Sequence, residues 1–136
     1  MIVPYVQKGG AKFDRILICW DGGRPAARAI ADSLPFLQRA KAIEIVTVGD
    51  RVKSEEMMIG ADITVHLRRH GLSVMTKTIV APDVDVPNII LSHAADCSAD
   101  MLVMGGYGHS RLREFVLGGA TRGILATMTI PTLMSH

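Results

Sequence analysis

Short apolar runs alternate with stretches whose apolar residues recur at helical spacing, and this alternation restricts the possible folds more than any other feature of the chain. Arg15 to Trp20 is apolar almost throughout and stops at Asp21-Gly22-Gly23, which reads as a buried parallel strand and its turn. A helix is expected from Arg24 to Arg39, with Ala27, Ile30, Ala31 and Leu34 as its apolar stripe and Pro35 tightening its last turns. Ala42 to Val48 is the second strand. Ser54 caps a helix that runs to His70, with Ile59, Ile63 and Leu67 on one face, and Gly71 ends it. Leu72 to Val80 is the third strand and Ala81 to Asp85 a loop. Pro87 opens a helix whose apolar face is Ile89, Ile90, Ala94 and Cys97. Met101 to Gly105, Gly119 to Thr127 and Thr129 to Met134 are read as strand, helix and strand. Pro131 implies that the last strand starts late or lies at an edge.

Such an order predicts an α/β fold, a five-stranded parallel sheet with helices on both faces, Rossmann-like in type. In these sheets ligands bind beyond the carboxyl ends of the strands, where the strand order reverses. Two glycine-bearing loops therefore belong to one crevice: Asp21-Gly22-Gly23 after the first strand and the loop from Gly105 to Gly118 after the fourth.

The second loop is the strongest chemical signal. Gly105, Gly108 and Gly118 are spaced Gly-x2-Gly-x9-Gly, and a helix follows. Glycine lets backbone approach an anion closely, and the first turn of a helix offers free N–H groups. A phosphorylated ligand, a nucleotide above all, is the reading this supports. A P-loop is excluded because no Lys lies between Gly105 and His136. A dinucleotide fingerprint begins at Gly106-Tyr107-Gly108, but Arg111 stands where its third Gly belongs.

Composition narrows the classes further. With 136 residues, 49% of them hydrophobic, the chain makes one domain with a sizeable core. The net charge is +2, the basic residues are scattered apart from Arg68-Arg69-His70, and there are only one Trp, two Tyr and three Phe. A nucleic-acid module needs a basic face, often with stacking aromatics, so nucleic acid is not expected as the partner. Cys19 and Cys97 lie in apolar segments without a C-x-x-C and read as buried free thiols in a reducing compartment. Met1 to Lys12 lacks the apolar core of a signal peptide, and no run reaches membrane-spanning length. A cytoplasmic protein with no membrane partner is expected.

Taken together, Asp21-Gly22, His70-Gly71 before the third strand, Ala99-Asp100-Met101-Leu102-Val103-Met104-Gly105, the Gly-x2-Gly-x9-Gly loop and the closing Ile130-Pro131-Thr132-Leu133-Met134 resemble a universal stress protein domain. The resemblance covers residues 13–136; residues 1–12 are a disordered tail or a remnant strand, since Met1-Ile2-Val3-Pro4 resembles the family's last strand and many members are tandem duplications. It implies an adenine nucleotide alpha hydrolase-like sheet and, in one large subgroup, an ATP-binding crevice. By position, Asp21 would meet the adenine or ribose side and Val48 would present backbone to the adenine. Gly105, Gly106 and Gly108 would close on ribose and phosphates. Gly118, Gly119, Ala120 and Thr121 would bring the N-terminus of the last helix to the phosphates, with His109 in the loop between. ATP, with or without Mg²⁺, is the implied cofactor. The implied assembly is a homodimer through the C-terminal strand, whose edge leaves backbone groups for a partner to satisfy.

The chain departs from the family pattern at Gly119, where Ser or Thr usually follows the third Gly, and at Gly23, where Ser often follows Asp-Gly. Thr121, two residues on, is the candidate replacement hydroxyl. His109 and Arg111 suit phosphate contact or solvent equally. His66 and His70, at i and i+4, have no third metal ligand and read as helix-surface residues. No nucleophile with a positioned base is evident, so no catalytic residue is assigned and ATP hydrolysis, if any, should be slow. A rival reading is a dimerisation half-domain that keeps the loop for folding alone. A second is an enzyme of the wider adenine-nucleotide group, but its His-x-Gly-His or Ser-Gly-Gly-x-Asp-Ser signatures are missing.

Overall fold

The computed structural model describes residues 1–5, 12–49, 54–80, 85–106 and 119–136; for 54–61 and 120 it describes the backbone alone. Strands and helices alternate as β1 (Arg15–Cys19), α1 (Arg24–Leu37), β2 (Ala42–Gly49), α2 (Ser54–Arg69), β3 (Met75–Val80), α3 (Val86–Asp96), β4 (Met101–Gly105), α4 (Gly119–Thr127) and β5 (Thr132–Ser135). The sheet order is β3-β2-β1-β4-β5, and every neighbouring pair is parallel. The expected five-stranded parallel α/β sheet is the fold of the chain.

Chain direction explains which helix covers which face. The steps from β1 to β2 and β2 to β3 go one way across the sheet, so right-handed crossovers put α1 and α2 on one side. The steps through α3 and α4 go the other way and fill the opposite side. Two apolar clusters match this. Ile16, Ile18, Ile43, Ile45, Met101 and Val103 meet α1 and α2 through Ile30, Leu37, Ile63 and Leu67. Leu17, Val46, Leu102 and Met104 meet α3 and α4 through Ile90, Ala94 and Ile124. Strand residues thus alternate between two buried faces, which is why their sequence reads as an unbroken apolar run.

Some boundaries and faces differ from expectation. The third strand begins at Met75, not Leu72: Val74 is buried in the first cluster, but as part of the approach to the strand. The fifth begins at Thr132, directly after Pro131, which has no N–H to give a ladder. The buried face of α1 is Ala26, Ala29, Ile30, Ser33 and Leu37, while Ala27 and Ala31 are exposed. Runs of alanine along this helix left the stripe's phase ambiguous by one residue.

At the amino ends of the strands, the Asp100 carboxylate accepts hydrogen bonds from the N–H groups of Asp14 at 2.9 Å and Arg15 at 3.0 Å. It ties the start of β1 to the start of β4. At the far edge Ile2 forms an antiparallel bridge with Thr132. The N-terminal segment thus touches the β5 edge.

Candidate functional site

The strand order reverses between β1 and β4, so the crevice of this fold opens beyond Cys19 and Met104, which are paired. On the β1 side, Asp21 is exposed and its Oδ1 accepts the N–H of Gly23 at 2.8 Å. Gly22 has φ +75, a left-handed conformation that glycine adopts without strain. This Asp-turn delivers the chain into α1, where Gly23 is the extended cap and Pro25 sits in the first turn.

On the β4 side, Gly105 is fixed by packing. A Cβ there would lie 2.6 Å from the backbone N of Ala26 and 3.0 Å from Pro25, so the start of α1 presses against the end of β4. Gly106 is buried, and its N–H donates to the Ser135 carbonyl at 2.8 Å. That donor is satisfied by β5. Gly119, the first residue of α4, is exposed, and a Cβ added there would meet nothing within 4 Å. As α4 links two parallel strands, its N-terminus lies at the crevice end of the sheet. Ala120 is in the same first turn, and Thr121 is buried at 5% exposure.

Val48 lies where β2 outruns β1. The Trp20 N–H takes the Val46 carbonyl at 2.9 Å and the β1 pairing ends there, whereas β2 continues beside β3 to Gly49. The structure therefore brings Asp21, Val48, Gly105, Gly106, Gly119, Ala120 and Thr121 to the carboxyl end of the sheet. Gly108, His109 and Gly118, with Tyr107 and Arg111, lie outside the described residues.

Cys19, at the end of β1, is half-buried. Burial pushes its thiol up to about 12, and the Asp21 carboxylate adds to the rise. Cys19 and Cys97 are both free thiols, and no described helix is long and apolar enough to cross a membrane.

A second polar group was missed in the sequence. Glu44 on β2 faces α3, where its Oε1 lies 2.8 Å from Nε2 of the buried His93. Lys77 Nζ is 3.5 Å from Nδ1 of the same ring, and Cys97 follows one turn along the helix. Burial also pushes the Cys97 thiol up. The available signals were a charged residue inside the Ile-rich second strand and a His at i−4 from a helix-face Cys.

A parallel sheet reversing at β1/β4, with glycine turns on both sides of the reversal, defines a doubly wound α/β domain with a crevice at the switch point. The chain belongs to the universal stress protein family, whose profile matches residues 12–136. It is 27% identical over 126 residues to the universal stress protein Slr1230 of Synechocystis, a match covering 88% of this chain and 41% of that protein. The chain thus spans about two-fifths of the length of that relative. Among solved structures, a universal stress protein in complex with cAMP superposes with TM-score 0.69 at 18% identity, covering 90% of this chain and 96% of the other. The universal stress protein from Archaeoglobus fulgidus in complex with dAMP superposes with TM-score 0.64 at 15% identity, covering 93% and 100%.

Proposed function

We propose that this domain is an ATP-binding regulatory module of the stress response, acting through nucleotide-dependent association or conformational change. The observation that carries the reading is the exposed, unobstructed Gly119 at the N-terminus of α4, at the crevice end of the sheet. An anion there gains from the helix N–H groups and dipole without needing a lysine. The exposed Asp21 on the opposite wall supplies an acceptor for a ribose hydroxyl or an adenine amine. The cAMP and dAMP complexes of similar folds support an adenine nucleotide as the ligand class.

On this reading any hydrolysis of the bound nucleotide is slow, because the sequence shows no nucleophile with a positioned base and the Asp21 Oδ1 accepts the Gly23 N–H. Assembly as a cytoplasmic homodimer through the β5 edge fits the same reading.

One observation favours a second reading, a dimerisation half-domain without nucleotide. Gly105 packs on α1 and Gly106 bonds to β5, so both glycines serve the fold before any ligand arrives. Titration calorimetry of the purified chain with ATP, AMP and cAMP, with and without Mg²⁺, separates the two. Saturable binding of an adenine nucleotide is expected; no heat at millimolar nucleotide, together with no nucleotide released on denaturation, would leave the half-domain reading.

A further inference from the structure

We propose that Glu44, His93 and Cys97 form a binding site for a zinc-class divalent cation on the α3 face of the sheet, remote from the nucleotide crevice. One atom each from the carboxylate, the imidazole and the thiol lie within 4.8 Å of one another. Four-coordinate zinc, with ligands at about 2.0–2.3 Å, needs ligand atoms about 3.3–3.8 Å apart. The widest pair needs to close by about 1 Å, and Glu44 Oε1 and His93 Nε2, now 2.8 Å apart, need to open by about 0.5 Å, both within the rotamer freedom of a glutamate and of a cysteine at a helix C-cap.

The three residues converge because of their spacing. His93 and Cys97 are i and i+4, so both stand on the face of α3 that covers the sheet. Glu44 pairs in register with Leu17 and Met75, on the strand face that packs against α3. An apolar residue is the ordinary choice there, as Val46 shows two residues on. A carboxylate at this position is half-buried against a buried imidazole, an arrangement costly unless both are satisfied. Mixed N, O and S donors select zinc and its chemical neighbours over magnesium or calcium.

Ion binding is balanced by proton movement. The Cys97 thiol releases its proton as it becomes a thiolate ligand. The imidazole proton passes from Nε2 to Nδ1, freeing Nε2 for the metal. Lys77, exposed on the edge strand β3, turns from Nδ1 to solvent. Glu44 and Cys97 also line an open cleft of about 400 Å³ with Arg15, Asp96, Ser98 and Ala99. A water from that cleft would supply the fourth ligand.

The test is a Co²⁺ titration of the reduced full-length chain, followed by absorption. Saturation at one equivalent is expected, with visible bands of a four-coordinate ion and a near-ultraviolet thiolate charge-transfer band. Zn²⁺ should bleach both. Cys97→Ser should lose the charge-transfer band, Cys19→Ser should keep it, and Glu44→Gln and His93→Gln should weaken binding by at least about tenfold. In wild type, Zn²⁺ should also protect Cys97 from alkylation, a readout independent of whether any variant folds. The site is overturned if wild type shows no saturable band, if the band survives Cys97→Ser, or if Zn²⁺ leaves Cys97 alkylation unchanged. In those cases His93 and Glu44 are a structural pair only.

Discussion

Ile2 and Thr132 exchange both of their backbone hydrogen bonds, at 2.8 and 2.9 Å, so the N-terminal segment holds the outer side of β5 where that strand begins. An edge strand offers its outward N–H and C=O groups at every second residue, which leaves Met134 as the next position open to a partner. Self-association through β5 therefore competes with the chain's own Ile2. Removing residues 1–5 should shift sedimentation towards the dimer, and removing 132–136 should weaken it. A chain whose association state ignores both deletions does not pair through this edge.

Gly105 should be intolerant of even one methyl group. With a Cβ only 2.6 Å from the Ala26 nitrogen, Gly105→Ala must push α1 off β4, at a cost of about 1–3 kcal/mol. At Gly106 the nearest atoms to an added Cβ are 3.7 Å away, an ordinary contact, so Gly106→Ala should be nearly neutral. Urea unfolding of the pair checks the contrast; equal stability of the two variants would refute the packing role.

The missing hydroxyl after the third glycine can be restored. Gly119 is exposed with open space around it, so Gly119→Ser should fit without strain. One added hydrogen bond to phosphate is worth about 1 kcal/mol, or about fivefold in ATP affinity by calorimetry. Unchanged or weaker affinity would mean that Thr121 already supplies the hydroxyl or that no phosphate approaches this turn.

Cys19 should make the fold sensitive to alkali. Its thiol is held up to about 12 against an ordinary value of 9.0. Between those values the unfolded chain loses a proton that the folded one retains. Stability from this group is therefore intact below pH 9 and falls as pH rises towards 12, by at most about 1.4 kcal/mol per unit. Cys19→Ala should flatten that part of the decline. Parallel stability curves for the two proteins at pH 8 to 11 would count against it.

The strands bordering the crevice were legible because both faces of each are buried: Arg15–Cys19 and Met101–Gly105 read as apolar blocks with glycine at the exit. Their reversal followed from alternation plus handedness. The start of β3 was not legible, since a buried Val74 before a strand looks like one within it. Gly105 shows a deeper limit. Close approach of α1 and close approach of a phosphate both demand an absent Cβ, and the sequence carries the demand without its cause. Glu44 and His93 were hidden for another reason: they are 49 residues apart and meet only through the β2–α3 packing.

The clasp of Asp100 on Arg15 joins segments 85 residues apart in the chain. A growing polypeptide can zip β1 to β2 early, but the crevice has no second wall until β4 arrives, and α4 comes later still. The crevice is therefore completed only by the later half of the chain. Any ligand of the crevice recognises only the completed fold, and by mass action it would hold the late-arriving half of the sheet closed.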